Sequence, residues 1–168
     1  MNMRCLHTAV LLLLLVARSA FSAGSAPFTQ GNARLSLHFG GATAFNQDYS
    51  IIGIGGGYYV ADGVEMGLDA ETWFGNSPRI AQISPEVRLV LNPAGSIKPY
   101  LGAFYRRTFI EHYRDSDTVG GRAGIYRLAG QRSYFGAGLA LDAHLKCDRA
   151  VYTHCAEAYP ELLFAVMF

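Results

Sequence analysis

Residues 51–74 read IIGIGGGYYVADGVEMGLDAETWF, two runs of alternating residues on either side of the turn Ala61-Asp62-Gly63. Before the turn, Ile52, Ile54, Tyr58 and Val60 alternate with Gly53, Gly55, Gly57 and Tyr59. After it, Val64, Met66, Leu68 and Ala70 alternate with Glu65, Gly67, Asp69 and Glu71. Successive side chains of a strand point to opposite faces. Each run is therefore a strand with one apolar face and one face of glycine and charge. A tight turn between two such runs predicts an antiparallel hairpin.

The same period continues in both directions from this hairpin. It predicts strands over 34–40 (Leu35, Leu37, Phe39 against Arg34, Ser36, His38), 51–60, 64–74, 82–91 and 99–109. Further strands are predicted over 120–129 and 134–145, and in the closing residues 161–168. The last is the weakest, because both of its faces are apolar. No stretch of helical period competes after the first 26 residues. The connections alternate as well. The turn at 61–63 and those at 92–98 and 129–132 are compact, while 41–49, 110–119 and 146–158 are longer and more polar. The connection at 75–79 is a short exception.

The chain has 168 residues, one domain's worth. Hydrophobic residues make up 51% and charged residues 16%, well below the roughly 25% charged usual in soluble domains. Beyond residue 17 no apolar run approaches the about 18 residues a membrane helix needs. There are 14 basic and 13 acidic residues. Leaving out Arg4 and Arg18, both in the first 24 residues, leaves 12 basic residues, so there is no basic excess to hold a nucleic acid.

The N-terminus has the layout of a secretory signal peptide. Arg4 is followed by an apolar core of about ten residues at 8–17 and then by small residues at 19, 20 and 22–26. The apolar segment is too short to cross a bilayer of about 30 Å as a helix. We expect residues 1–24 to be removed, with cleavage after 22, 24 or 26. A lead-in follows at 25–31 and one strand-built domain at 32–168.

Which face meets which medium decides the class. The polar set is Arg34, Glu65, Asp69, Glu71, Glu86, Arg88, Arg106, Arg122, Asp142 and His144. Its face is filled out with glycine (53, 55, 57, 67, 102, 124, 136, 138) rather than with lysine, serine and threonine. A solvated face has no need of glycine, whereas a cramped interior does. Aromatic residues lie near strand ends: Tyr58, Phe74, Tyr105, Phe109, Tyr134, Phe164 and Phe168. Girdles of that kind mark membrane interfaces. Eight strands of about ten residues suit a transmembrane barrel. In hydrocarbon the sheet must close, because an unpaired edge costs several kcal/mol per group. The expected fold is all-β: a closed eight-stranded antiparallel up-and-down transmembrane β-barrel behind a cleaved signal peptide. Its interior charges should pair, the acids of the third and fourth strands with Arg88, Arg106 and Arg122.

The passages GGGYYVADGVEMGLD (55–69), SPEVRLVLNPAGSIKPYLGAFY (84–105) and FAVMF (164–168) resemble the small outer-membrane β-barrel family, OmpA/OmpX-like and opacity-type, over about 32–168. The resemblance implies an outer-membrane location in a Gram-negative-type bacterium, with both termini periplasmic. It implies contact with outer-membrane lipid and lipopolysaccharide. It also implies that Phe164, Val166 and Phe168 form a C-terminal insertion signal read by the outer-membrane insertion machinery. Two prolines depart from the pattern. Pro85 lies on the outward face of a strand that should be fully paired, which predicts a bulge; Pro160 should open the last strand.

The mature chain retains two cysteines, Cys147 and Cys155, in the last loop. In an oxidising compartment they predict a disulfide. A metal site from Cys147, Cys155 and His154 lacks an evident fourth ligand. GIGGGYY (53–59) lacks the spacing and following helix of a phosphate loop. Asp115 and Asp117 read as a solvated loop.

A lipid A-modifying barrel enzyme would carry a catalytic set on its outer surface. Of His38, His112, His144 and His154, the first and third have inward parity and the others lie in loops. None has serine and a carboxylate at neighbouring outward positions. The expectation is a non-enzymatic protein without a cofactor, in a structural or surface-interaction role: the barrel anchors, and loops 41–49, 110–119 and 146–158 meet the exterior. The lipid-active enzyme is the alternative and a narrow channel the second.

Overall fold

The structure is a computed structural model that describes residues 26–91, 95–145, 147 and 154–168. The expected signal peptide lies outside the described residues. Eight strands follow one another: β1 (Ala33–Ala44), β2 (Gln47–Ala61), β3 (Val64–Phe74), β4 (Ile80–Val90), β5 (Ile97–Ile110), β6 (Ser116–Leu128), β7 (Ser133–His144) and β8 (Ala156–Met167). Each pairs antiparallel with the next, and β8 returns to β1 to close the barrel. Both ends of the barrel domain and the three turns after β2, β4 and β6 share one rim, the terminal end. The other four connections form the loop end.

All eight expected strands are present, but the loop end differs from expectation. Residues 41–49 are not a loop. β1 and β2 pair up to Ala44↔Gln47, and a two-residue turn of Phe45 and Asn46, with φ of 53° and 56°, joins them. Likewise 110–119 shrinks to 111–115 and 146–158 to 145–155. The reason is physical. These strands run past the apolar belt, and their outward side chains there (Thr43, Asp48, Ser50, Asp117) are polar. Alternation of apolar with polar, the sequence marker, fades while the hydrogen-bond ladder continues.

The prolines also behave differently from expectation. No bulge forms at Pro85: it pairs with Leu68 of β3 in unbroken register. The β4–β5 ladder keeps one register on both sides, Ile83↔Arg107 and Glu86↔Phe104, and lacks the pairs between. The missing N–H is thus absorbed on one side of one strand. Pro160 does not open β8, which begins four residues earlier; it sits where pairing with β1 ends, at Gly40↔Glu161. Both prolines stand where one neighbouring ladder is interrupted, the position a residue without an N–H tolerates.

The two faces are sharply different. Among the described residues 27 large apolar side chains are exposed, Leu139 at 58% and Leu101 at 55% among them. The interior holds buried Arg34, Glu65, Asp69, Glu86, Arg88, Arg106 and Arg122. It is filled in three levels. At the terminal end Tyr59, Tyr100, Tyr126 and Tyr134 pack together with Phe28. The middle is ionic. At the loop end Ala44, Tyr49, Ile51, Trp73, Ile80 and Ile110 close the mouth. Tyr134, expected in an outer aromatic girdle, is in fact wholly buried inside.

Phe28 belongs to the lead-in, which folds back as a stopper. Its ring lies 5.9 Å from Tyr126 and 5.2 Å from Tyr134. Its carbonyl accepts from the Gly63 N–H at 2.7 Å, and the Gln30 N–H donates to Asp62 at 2.9 Å.

Cys147 and Cys155 are joined, bridging the last connection. Ellman titration of the unreduced mature protein should therefore find no accessible thiol. Two reactive thiols would remove the crosslink.

Candidate functional site

The side chains of chemical interest converge in the middle of the lumen. Arg34 enters from β1, Glu65 and Asp69 from β3, Glu86 and Arg88 from β4, Arg122 from β6 and Glu161 from β8. Strand parity alone puts them all inward. Glu86 is the hub: its carboxylate meets Arg34 at 2.9 Å, Arg88 at 2.6 Å and Arg122 at 3.2 Å. Asp69 faces the same three guanidiniums at 3.6, 3.7 and 3.2 Å. Arg34 also pairs with Glu65, and Arg122 lies 3.6 Å from Glu161. Three cations thus interleave with four anions, and five of the eight strands are tied across the lumen.

Tyrosines couple this cluster to the level below. Arg88 donates to the Tyr126 hydroxyl at 2.6 Å, and the Tyr100 hydroxyl donates to Glu161 at 2.9 Å. Towards the loop end lies a second cluster. Arg106 pairs with Asp142 at 2.8 Å, approaches Glu71 at 3.9 Å and donates to the Tyr159 hydroxyl. His144 meets Thr118 beside it, 2.9 Å away. Phe104 separates the clusters, with the Arg106 and Arg122 guanidiniums 4.6 and 4.8 Å from its ring centre. Each such stack adds about 1 kcal/mol or more when desolvated.

Glycine makes the crowding feasible. A Cβ on Gly55 would stand 2.0 Å from Asp69 and 2.7 Å from Ser36; one on Gly138 would stand 2.3 Å from the Tyr100 hydroxyl. The long side chains of β3 and β5 occupy the volume that β2 and β7 leave empty.

These contacts tie strands to one another across the lumen. Ser36, His38 and Asp69 do touch, but Ser36 Oγ lies 2.8 Å and Asp69 3.4 Å from the same ring nitrogen, His38 Nε2. A nucleophilic relay needs the hydroxyl and the acid on opposite ring nitrogens. Ser36 Oγ also accepts from Arg34, and the three are enclosed. His112 and His154 lie on loops and are exposed. Among the described residues no group of three His, Cys, Asp or Glu is arranged to hold a metal ion. Outside the barrel, Arg107 pairs with Asp115 and Asp117, each at 2.9 Å.

Every residue of the sequence-derived charge set points into the lumen. The sequence reading missed Glu161, because both faces of 161–168 are apolar around it. It missed the apolar seal at the loop end because Tyr49 and Ile110 fell in expected loops. Ile51 and Trp73 share parity with Gly53 and Glu71, and that would have exposed them. Phe28 left no periodic signal.

The N-terminal β-barrel domain of OprF from Pseudomonas aeruginosa superposes with a TM-score of 0.63 at 17% identity, covering 83% of this chain and 98% of that one. Neisserial surface protein A (NspA) gives 0.59 at 16%, covering 81% and 94%. A de novo designed transmembrane β-barrel gives 0.55 at 12%, covering 83% and 98%. By sequence, no family model and no curated protein matches. The fold is that of small outer-membrane eight-stranded barrels.

Removing one partner of a buried ion pair is strongly destabilising. Glu86→Gln leaves three guanidiniums short of their hub and should cost about 3–5 kcal/mol in a urea unfolding titration. Asp115→Asn, at an exposed pair, should stay within about 1 kcal/mol. Equal effects would contradict the hub.

Proposed function

We propose that this chain is an outer-membrane barrel of a Gram-negative-type bacterium, in a structural or surface-interaction role, with both termini periplasmic. One observation carries the reading: the apolar side chains face outward around the whole circumference, and the ionic ones are sealed along the axis. Monomeric soluble proteins rarely expose contiguous apolar patches beyond a few hundred Å². Here such a belt encircles the molecule, the arrangement that hydrocarbon favours and water opposes.

The role follows from what the barrel offers each side. Its turns and loops are short, except the disulfide-bridged connection at 145–155. That connection is therefore the segment best suited to meet an external partner, while the rest anchors. Lipopolysaccharide and membrane lipid surround the belt. Phe164, Val166 and Phe168 serve as the insertion signal. Phe168 closes the seam at the terminal end, where it and Ala33 exchange two backbone hydrogen bonds.

Catalysis is disfavoured by the enclosed Ser36–His38–Asp69 geometry, and conduction by the lumen filled at three levels. An enzyme would change the acylation of lipid A on expression, and a channel would show robust conductance in a planar bilayer.

The folded protein should migrate faster in SDS before boiling than after. Leu139→Arg, half-way along β7, should cost about 2–4 kcal/mol if it sits near the bilayer midplane. A neutral result in a lipid-vesicle folding titration, or a wild-type chain that dissolves as a compact monomer without detergent, would overturn the membrane reading.

A further inference from the structure

The outer wall carries a depression of about 450 Å³ where β6, β7 and β8 meet. Its floor is Ala137. Ile125 and Leu162 flank Ala137 across the two neighbouring strands, and Phe39 lies beyond Leu162 in the same row. One row nearer the terminal end, Arg127, Phe135 and Phe164 stand side by side, the two phenyl rings 5.0 Å apart. The rows are two residues, or about 7 Å, apart along the strand. A small side chain ringed by large ones makes a slot, and a cation stands at the end of it that faces the barrel's terminal rim.

Arg127 is outward and exposed. Its cross-strand neighbours are Ile97 and Phe135, and among the described residues no carboxylate pairs with it. A guanidinium at the edge of an apolar belt must reach the headgroup layer or an anion, since hydrocarbon cannot solvate it. A second depression, around Ala70 and lined by Leu37, Ile52 and Ile54, has Thr72 at its edge and no cation.

We infer that the Ala137 depression seats one acyl chain of an anionic phospholipid, whose headgroup phosphate pairs with Arg127. The inference rests on the membrane reading above. It goes further in naming one defined lipid site, on the leaflet at the terminal end. Arg127 supplies a fork of donors suited to a phosphate. Phe135 and Phe164 cover the upper part of the chain at the level where aromatic residues favour the interface.

The test uses the mature chain folded in detergent with added phosphatidylglycerol, read by native mass spectrometry. Wild type should retain one phosphatidylglycerol per barrel. Arg127→Gln, which removes the charge, should lower that occupancy about tenfold, the loss of one charge-assisted contact, and Ala137→Phe, which fills the slot, should lower it at least as far. Ala70→Phe should leave it unchanged, and uncharged diacylglycerol should not be retained. Heat-modifiable migration of every variant reports that it is folded. Equal retention by folded wild type and Arg127→Gln, or equal loss in Ala70→Phe, would overturn the lipid site alone. A wild-type chain without heat-modifiable migration would overturn the membrane reading and the site with it.

Discussion

Closing eight strands into a cylinder leaves an interior just wide enough for side chains, and that volume has to be filled. Nearly everything else in this molecule answers to that constraint. The outward side chains are apolar, so the inward ones carry most of the polarity. They must then fit and satisfy one another in a space with little water. Charges buried in this way stabilise only when each meets a partner. The chain meets the demand by interleaving: Glu86 and Asp69 each face the same three guanidiniums. The glycines of β2 and β7 are the other half of the solution. Residues such as Gly55 do not loosen the wall; they give the Asp69 carboxylate room across the ladder.

The lumen is graded along its axis. Aromatic rings fill the terminal end, ions the middle and aliphatic and indole groups the loop end. An ionic network open to water at both ends would be screened and weak. With Phe28 stopping one end and Trp73 and Ile110 the other, the same pairs sit in a lower dielectric and hold the strands more firmly. The stopper and the network are thus parts of one device, although Phe28 lies five residues before β1.

Much of this was legible in the sequence because two-faced strands obey a period of two that helices do not share, and the glycine-and-charge face told which side was enclosed. The alternation at 51–74 shows which face turns inward, and the expected pairing of the β3 and β4 acids with Arg88 and Arg122 holds for Asp69 and Glu86, whereas Arg34, not among the expected partners, meets both. Parity says nothing about height, however. It could not show that Arg106 belongs to a separate cluster with Asp142 and Tyr159, nor that Phe104 stands between them. The ends were harder for a different reason. Alternation is visible only while one face meets an apolar medium, so Thr43, Asp48 and Asp117 concealed strand that continues beyond the belt. Phe28 was hidden altogether, since a segment that packs as a stopper follows the shape of the cavity and no period of its own.

The two prolines show how narrow the tolerance of a closed sheet is. Every strand of a barrel has two neighbours, so no edge is available for a residue without an N–H. Pro160 falls at the top of the β1–β8 seam, where that ladder has ended at Gly40↔Glu161. Pro85 has no such end to use. It stays in register with Leu68 while the β4–β5 ladder skips its level. A bulge would have shifted the parity of β4 beyond that point and turned Glu86 and Arg88 out of the lumen. Keeping the register at the cost of a gap in one ladder keeps the hub of the ionic network inside. The strand accepts a local loss of pairing because the alternative would expose two charges on the apolar wall.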